Sequence, residues 1–176
     1  MLEIILSIIV VVSFLLFIFT ISYNKFQLAI IKIDKAEEDI DLYLQKKMEL
    51  LNRTRPIVKK EIKLKEFLEE IDQDIEESSH FEKHNLLKIM YNELFKVLDE
   101  NEKLLKSDTL IAILEDLNVN EENIIGAIKF YNDTVVEYNR LIASFPSLIV
   151  AFVKRYHKKE FYNNEKREIF KILNEK

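Results

Sequence analysis

The hydrophobic positions of this 176-residue chain follow two patterns, which change at about residue 22. Residues 4–22 carry no charged side chain, and an apolar run of this length is typical of a helix that crosses a membrane. A lone strand would leave its backbone unpaired in lipid, so a helix is expected despite the β-branched residues over 8–12. The pattern predicts a short N-terminal tail over 1–3 and a transmembrane helix over 4–22.

Beyond residue 22, apolar residues recur at steps of three, four and seven, which is the spacing of amphipathic helices. Helices of this kind need partners, so the sequence predicts an all-α fold in which an antiparallel, up-and-down four-helix bundle over 23–145 follows the transmembrane helix. Residues 146–176 form an amphipathic, basic C-terminal tail that is expected to be helical. The stripes include Ala36, Tyr43, Leu50 and Ile57; Leu86, Ile89, Leu94, Val97 and Leu98; and Ile124, Ile128, Val135 and Ile142.

Two prolines bear on the helix boundaries. Phe145-Pro146 is expected to end the last long helix, because proline disfavours helix at the residue before it. Pro56 leaves two alternatives open. Residues 52–56 form a turn between helices over about 24–54 and 57–77, or Pro56 is a kink within one longer helix. Two further helices are predicted over about 81–106 and 109–144.

The composition excludes several classes of protein. One Gly among 176 residues argues against β sandwiches, Rossmann folds and phosphate-binding loops, which need turn residues. The absence of Cys excludes disulfides, thiolate metal sites and a Cys nucleophile. The net charge of −5 gives no indication of nucleic-acid binding.

The charges that flank the apolar run predict its orientation. The three residues before it contain no Lys or Arg, whereas Lys25, Lys32 and Lys35 follow it. Basic residues favour the cytoplasmic side of a membrane, so we expect a single-pass cell-membrane protein with its N-terminus outside and residues 23–176 in the cytoplasm.

Two groups of positions are similar to the LemA family of bacterial membrane proteins. The first comprises Tyr23-Asn24, Ile40-Asp41, the paired lysines at 46–47 and the leucines at 50–51. The second has the pattern E-x-x-I-x-x-A-x-x-x-YN-x-x-V-x-x-YN-x-x-I-x-x-FP. Its positions in this chain are Glu121, Ile124, Ala127, Tyr131-Asn132, Val135, Tyr138-Asn139, Ile142 and Phe145-Pro146.

The resemblance implies an antiparallel four-helix bundle anchored by one N-terminal helix, and it implies no established enzymatic activity. This chain departs from the family pattern at two places. Asn52 stands where proline is usual, and Ile128 stands where an arginine usually follows the matched alanine. Any role of that arginine therefore cannot be transferred to this chain.

Five of the seven tyrosines are followed by asparagine, and Asn132 and Asn139 lie seven residues apart on one helix face. Asparagine is a poor helix former, so an interaction must compensate for its presence there. One interpretation is a structural ladder of hydrogen bonds with tyrosine in the core. The alternative is a polar site for a ligand or a partner.

The segment from Glu66 to Glu77 carries seven acidic residues, with His80 and His84 close behind. A bundle that holds two metal ions uses Glu-x-x-His pairs that face inward from two helices, and the chain offers one such pair, Glu77 and His80. A solvated acidic face is therefore the expected interpretation. No catalytic, cofactor-binding or metal-binding residue is assigned, no cofactor is expected, and we expect that the protein is not an enzyme.

The C-terminal tail combines an apolar run over 148–153 with a basic cluster, Lys154, Arg155, Lys158 and Lys159. This combination is typical of segments that lie on an anionic membrane surface. Contact with anionic lipid headgroups is one interpretation. In the other, the apolar run caps the open end of the bundle and the basic cluster is solvated.

These patterns predict a membrane-anchored cytoplasmic scaffold or protein-interaction module that binds a protein partner or associates with itself. The first alternative is a self-assembling, lipid-organising protein at the membrane surface. The alternative from another class is a carboxylate-rich, metal-binding bundle enzyme.

Overall fold

The computed structural model describes residues 1–58 and 80–162. The described part is helical, with four α-helices, α1 (Leu2–Val58), α2 (His80–Glu100), α3 (Asp108–Ala143) and α4 (Ser147–Lys154), and a 3₁₀ helix over Glu102–Lys106. The all-α class is thereby confirmed. The four-helix topology stays a prediction, because the helix predicted over 57–77 lies almost entirely outside the described residues.

The N-terminal apolar run and the first predicted soluble helix form one continuous helix, α1. Its N-terminal part is long and apolar enough to cross a membrane, and none of that stretch is buried inside the protein. The first buried side chain is that of Ser22, where the predicted membrane segment ends. α3 and α4 pass the same test of length and composition if they are counted together, although their axes differ by 92°.

The chain divides into two compact units. The first comprises Met1–Glu37 and Lys129–Lys176, and so contains the apolar run, the end of α3, α4 and the segment after it. Its core combines aromatic and aliphatic side chains from α1, α3 and α4. The buried members include Phe26, Ala29, Ile33, Tyr131, Val135, Tyr138, Val150 and Ala151.

The second unit comprises Glu38–Ile128, and in it each helix buries one stripe at steps of three and four residues. Of the stripe predicted for α2, Leu94 and Leu98 are buried, and the prediction was wrong by one residue in the first half of the helix. Leu87 and Met90 are buried, whereas Ile89 is 45% exposed. Adjacent apolar residues at 86–87 and 89–90 allow either register, so spacing alone does not choose between them.

Pro56 lies inside α1, and the turn considered over 52–56 is absent because these residues are helical. Proline has no N–H to donate to the carbonyl four residues earlier, here that of Asn52. Asn52 is exposed, so water can hydrogen-bond that carbonyl without disturbing the helix.

The C-terminal tail differs from the prediction of a helix over 146–176. The break at Phe145-Pro146 is present, because α3 ends at Ala143 and α4 begins at Ser147. α4 then ends at Lys154, where Arg155 adopts the left-handed conformation with φ of 55° and the Tyr156 N–H donates to the Ala151 carbonyl. Residues 156–162 are not helical, and residues 163–176 lie outside the described part.

Candidate functional site

α4 presents an apolar face to solvent, although it buries Val150 and Ala151 in the first unit. Phe145 and Phe152 are 81% and 84% exposed. Single exposed apolar residues are ordinary, but a group on one short helix indicates a surface that contacts another apolar phase. The exposed group is Phe145, Leu148, Ile149, Phe152 and Val153.

Ring contacts place the C-terminal end of α4 beside the residues that follow the apolar run. The Lys154 ammonium lies 5.3 Å from the centroid of the Tyr23 ring, which is within the range of a cation–π interaction. Phe26, which is fully buried, contacts the rings of Tyr138 and Tyr156 at centroid distances of 5.7 and 5.0 Å. The apolar face of α4 therefore lies close to the point where α1 leaves the predicted membrane segment.

Asn132 and Asn139 on α3 hold the segment that follows α4. The Asn139 side chain makes two hydrogen bonds with the backbone of Lys159, because its amide donates to the carbonyl and its oxygen accepts from the N–H, each at 2.9 Å. The Asn132 oxygen accepts from the Tyr162 N–H at 2.8 Å. Asparagine side chains thus supply the donors and acceptors that a neighbouring strand would supply in a sheet.

Tyr131 and two carboxylates complete the contacts of this segment. The buried Tyr131 hydroxyl donates to the Glu160 carbonyl at 3.2 Å, and its ring contacts that of Tyr162. Burial, with the Glu37 carboxylate nearby, raises the pKa of Tyr131 to about 12. The Lys159 ammonium lies 3.8 Å from Asp34 and 3.9 Å from Glu37. We call Asp34, Glu37, Tyr131, Asn132 and Asn139 the clamp, and residues 159–162 the clamped segment.

The four basic residues predicted to contact lipid therefore do not act as one group. Arg155 and Lys158 are exposed and Lys154 lies over Tyr23, whereas Lys159 is directed at the acidic residues of α1. Asn132 and Asn139 bind this chain's own backbone, and both interpretations of the Tyr-Asn pairs, a structural ladder and a polar site for a partner, stay predictions.

The second unit contains a buried ion pair between Lys47 on α1 and Glu121 on α3, with Nζ 2.6 Å from Oε2. The Lys47 side chain is 1% exposed and that of Glu121 is 28% exposed. Burial lowers the pKa of Lys47, and the hydrogen bond to Glu121 opposes that effect. Glu121, one of the residues that carry the family resemblance, is thus the partner of a buried lysine.

Polar groups surround this ion pair. The Lys47 ammonium lies 4.9 Å above the Tyr91 ring, and the Tyr91 hydroxyl donates to Asn118. Burial and the nearby Lys47 charge lower the pKa of His84. The Asn120 amide donates to the Tyr43 carbonyl at 3.0 Å. The Tyr91–Asn118 bond lies at the surface, whereas Lys47 and Asn120 are buried among the apolar residues of the second unit.

The sequence prediction did not single out Asn120, Gln27 or Tyr156, and it named Lys47 only as one of the paired lysines of the family resemblance. A signal for Lys47 is present, because it continues the stripe of Ile40, Leu44 and Leu51 at steps of four, three and four. A lysine at such a position indicates a buried partner. Gln27 and Tyr156, whose side chains share a hydrogen bond, carry no comparable signal because they are 129 residues apart.

The remaining predicted residues have plainer surroundings. Ile40 is buried, Asp41 is half-buried, and Asn24 is exposed. The acidic run over 66–77 lies outside the described residues. Within residues 1–58 and 80–162, no group of three His, Asp or Glu side chains is arranged to hold a metal ion.

Comparison with known proteins identifies the relatives of this chain. The model of the LemA family matches residues 36–172, a range that contains Glu121 and both Tyr-Asn pairs of the clamp and begins after Tyr23-Asn24. No curated protein matches the sequence. Because the match spans well over half of the chain, the chain belongs to the LemA family.

Proposed function

We propose that the chain is a single-pass, membrane-anchored helical scaffold whose α4 lies on the cytoplasmic lipid surface. The observation that carries this proposal is the exposed apolar face of α4, which lies beside the end of the predicted membrane segment. Two kinds of attachment then act on the same end of the molecule, the apolar part of α1 and the face of α4.

The aromatic residues near this point support the same arrangement. Tyrosine is enriched at membrane–water interfaces, where its ring is in apolar surroundings and its hydroxyl is hydrated. Phe26, Tyr138 and Tyr156 form one cluster of rings, and Tyr23 directly follows the predicted membrane segment. The exposed basic residues Arg155 and Lys158 follow directly and suit an anionic leaflet.

A scaffold is the function that this arrangement supports best. Among the described residues, Lys47 and Glu121 form an ion pair and His84 lies near them, an arrangement that supports a structural role for these three groups.

Depth measurements on the full-length chain test the position of α4. The protein has no cysteine, so Phe152→Cys places one fluorophore on the exposed face, and Asp133→Cys on α3 serves as the control. In vesicles that contain nitroxide-labelled lipids, we expect strong quenching of the label at position 152 and weak quenching at position 133. Equal quenching at the two positions would contradict the proposal.

The same single-cysteine variants test the orientation. A thiol reagent that does not cross membranes should leave the cysteine at position 133 unlabelled in intact cells and label it after the cells are opened. Labelling of this cysteine in intact cells would show that residues 23–176 lie outside the cytoplasm.

A further inference from the structure

We infer that the clamp is an exchangeable peptide site, and that the clamped segment of a second copy of this chain fills it. Copies in one membrane would then associate by exchanging residues 159–162. The inference depends on the anchoring part of the proposed function and goes beyond it, because it names the partner and the surface that binds it.

The chemistry of the clamp is that of a peptide-binding site. The clamp hydrogen-bonds to backbone N–H and carbonyl groups through the side chains of Asn132, Asn139 and Tyr131. These backbone groups are the same in every extended segment. Selectivity comes from two side chains of the segment. Lys159 lies near the carboxylates of Asp34 and Glu37, and Tyr162 contacts the Tyr131 ring.

The segment that best satisfies these requirements is already present in every copy. Exchange between identical chains replaces each contact by the same contact from a neighbour, so it costs little in interaction energy. A partner of other sequence would need a lysine at the same position and an aromatic residue three places later. A second copy meets that requirement by definition.

A hinge for the exchange lies between two anchored parts of the chain. Tyr156 packs against Phe26, and Lys159 is held by Asn139. His157 and Lys158, between these anchors, are exposed and outside any helix. Three extended residues span about 10 Å, which is close to the distance between the axes of two packed helices. The exchange therefore requires the two copies to be in direct contact.

Membrane anchoring favours this encounter. The clamp residues of α1 follow the apolar run at the same distance along the helix in every copy. The clamps of neighbouring copies therefore lie at the same height above the lipid. Confinement to one plane raises the effective concentration of the segment near a neighbour's clamp without any additional contact.

Crosslinking between two differently tagged full-length chains in the same cells tests the inference. One chain carries Glu37→Cys, beside the Tyr131 hydroxyl, and the other carries Glu160→Cys, whose backbone carbonyl still accepts from Tyr131. A thiol crosslinker that spans about 10 Å should join the two tags. Adding Asn132→Leu and Asn139→Leu to the first chain should lower the yield at least fivefold.

The control replaces Glu37→Cys by Asp133→Cys, which lies about 100° around α3 from Asn132. The inference is overturned if the mixed product does not exceed that control while a single chain with both cysteines crosslinks internally. It is also overturned if the cysteine at position 37 captures a different protein. Failure of the chain to fractionate with membranes would instead contradict the anchoring, so the two failures are distinguishable.

Discussion

At the scale of single residues, the asparagines of α3 show how a residue that disfavours helix can be used within one. Asn132 and Asn139 lower the helix propensity of α3, but their side chains bind the backbone of the clamped segment. The seven-residue spacing placed both on one face in the sequence analysis. The spacing could not identify the partner of Asn139, because Lys159 is 20 residues away and no sequence pattern marks it as a bound residue.

The hydrogen bonds of Asn139 can be tested by Asn139→Leu. This change removes two hydrogen bonds, which contribute about 1–3 kcal/mol together, so opening of the clamped segment should become about 5- to 100-fold more frequent. Limited digestion with trypsin should cleave faster at Lys158 and Lys159 by a similar factor. Asn92→Leu, at an exposed Tyr-Asn pair on α2, should leave the cleavage rate unchanged.

The ion pair between Lys47 and Glu121 should respond unequally to loss of its two partners. Glu121→Gln leaves a buried ammonium without its counter-charge and should cost about 3–5 kcal/mol. Lys47→Met keeps the apolar volume and leaves a carboxylate that water can still reach, so the cost should be smaller. Thermal unfolding followed by circular dichroism gives both values. Equal losses, or a larger loss for Lys47→Met, would show that burial of the ammonium is not the controlling feature.

His84 predicts a pH dependence of stability. Its pKa in the folded chain lies below the ordinary value of 6.5, so the unfolded chain binds more protons in that range. The stabilisation is complete above pH 6.5 and is lost as the pH falls through the lowered pKa. The unfolding temperature should therefore fall between pH 7.5 and 5.5, with a smaller fall for His84→Gln. Asn85→Gln, at the exposed residue after His84, should keep the slope of the parent chain.

At the scale of elements, the periodicity of the apolar residues was sufficient to predict a helix where those residues define one face. It predicted α2, α3 and the break at Phe145-Pro146, and it predicted the residues of α1 as two helices rather than one. It was insufficient where tertiary contacts decide the conformation. The chain after Lys154 is not helical through residue 162, and α3 offers its backbone hydrogen bonds that do not depend on the side chains of the segment.

The charge of the tail should control how α4 sits on lipid. Replacing Lys154, Arg155 and Lys158 by Gln removes three positive charges, each worth about 1 kcal/mol near an anionic surface. Quenching of a label at position 152 by nitroxide-labelled lipids should fall in anionic vesicles and stay unchanged in zwitterionic ones. A matched variant with Lys103 and Lys106 changed to Gln should behave like the parent. An equal fall in both lipids would indicate that the changes disturb α4 itself.

At the scale of the whole molecule, an apolar anchor is combined with a helix that has an exposed apolar face and with a clamp that holds the chain after that helix. The anchor and the all-α class were accessible from the sequence, because each depends on runs of residues that are close together in the chain. The clamp was not, because it depends on α1, α3 and the segment after α4 meeting in one unit.

The most direct test of the central claim is photocrosslinking in living cells that express the full chain with a photoreactive phenylalanine analogue at position 152. If α4 lies on the lipid surface, irradiation should give adducts that migrate with the unmodified chain and carry the mass of a phospholipid. The same analogue at position 133 should give no lipid adduct. Adducts of position 152 with another protein, and none with lipid, would contradict the account and make the apolar face of α4 a protein-binding surface.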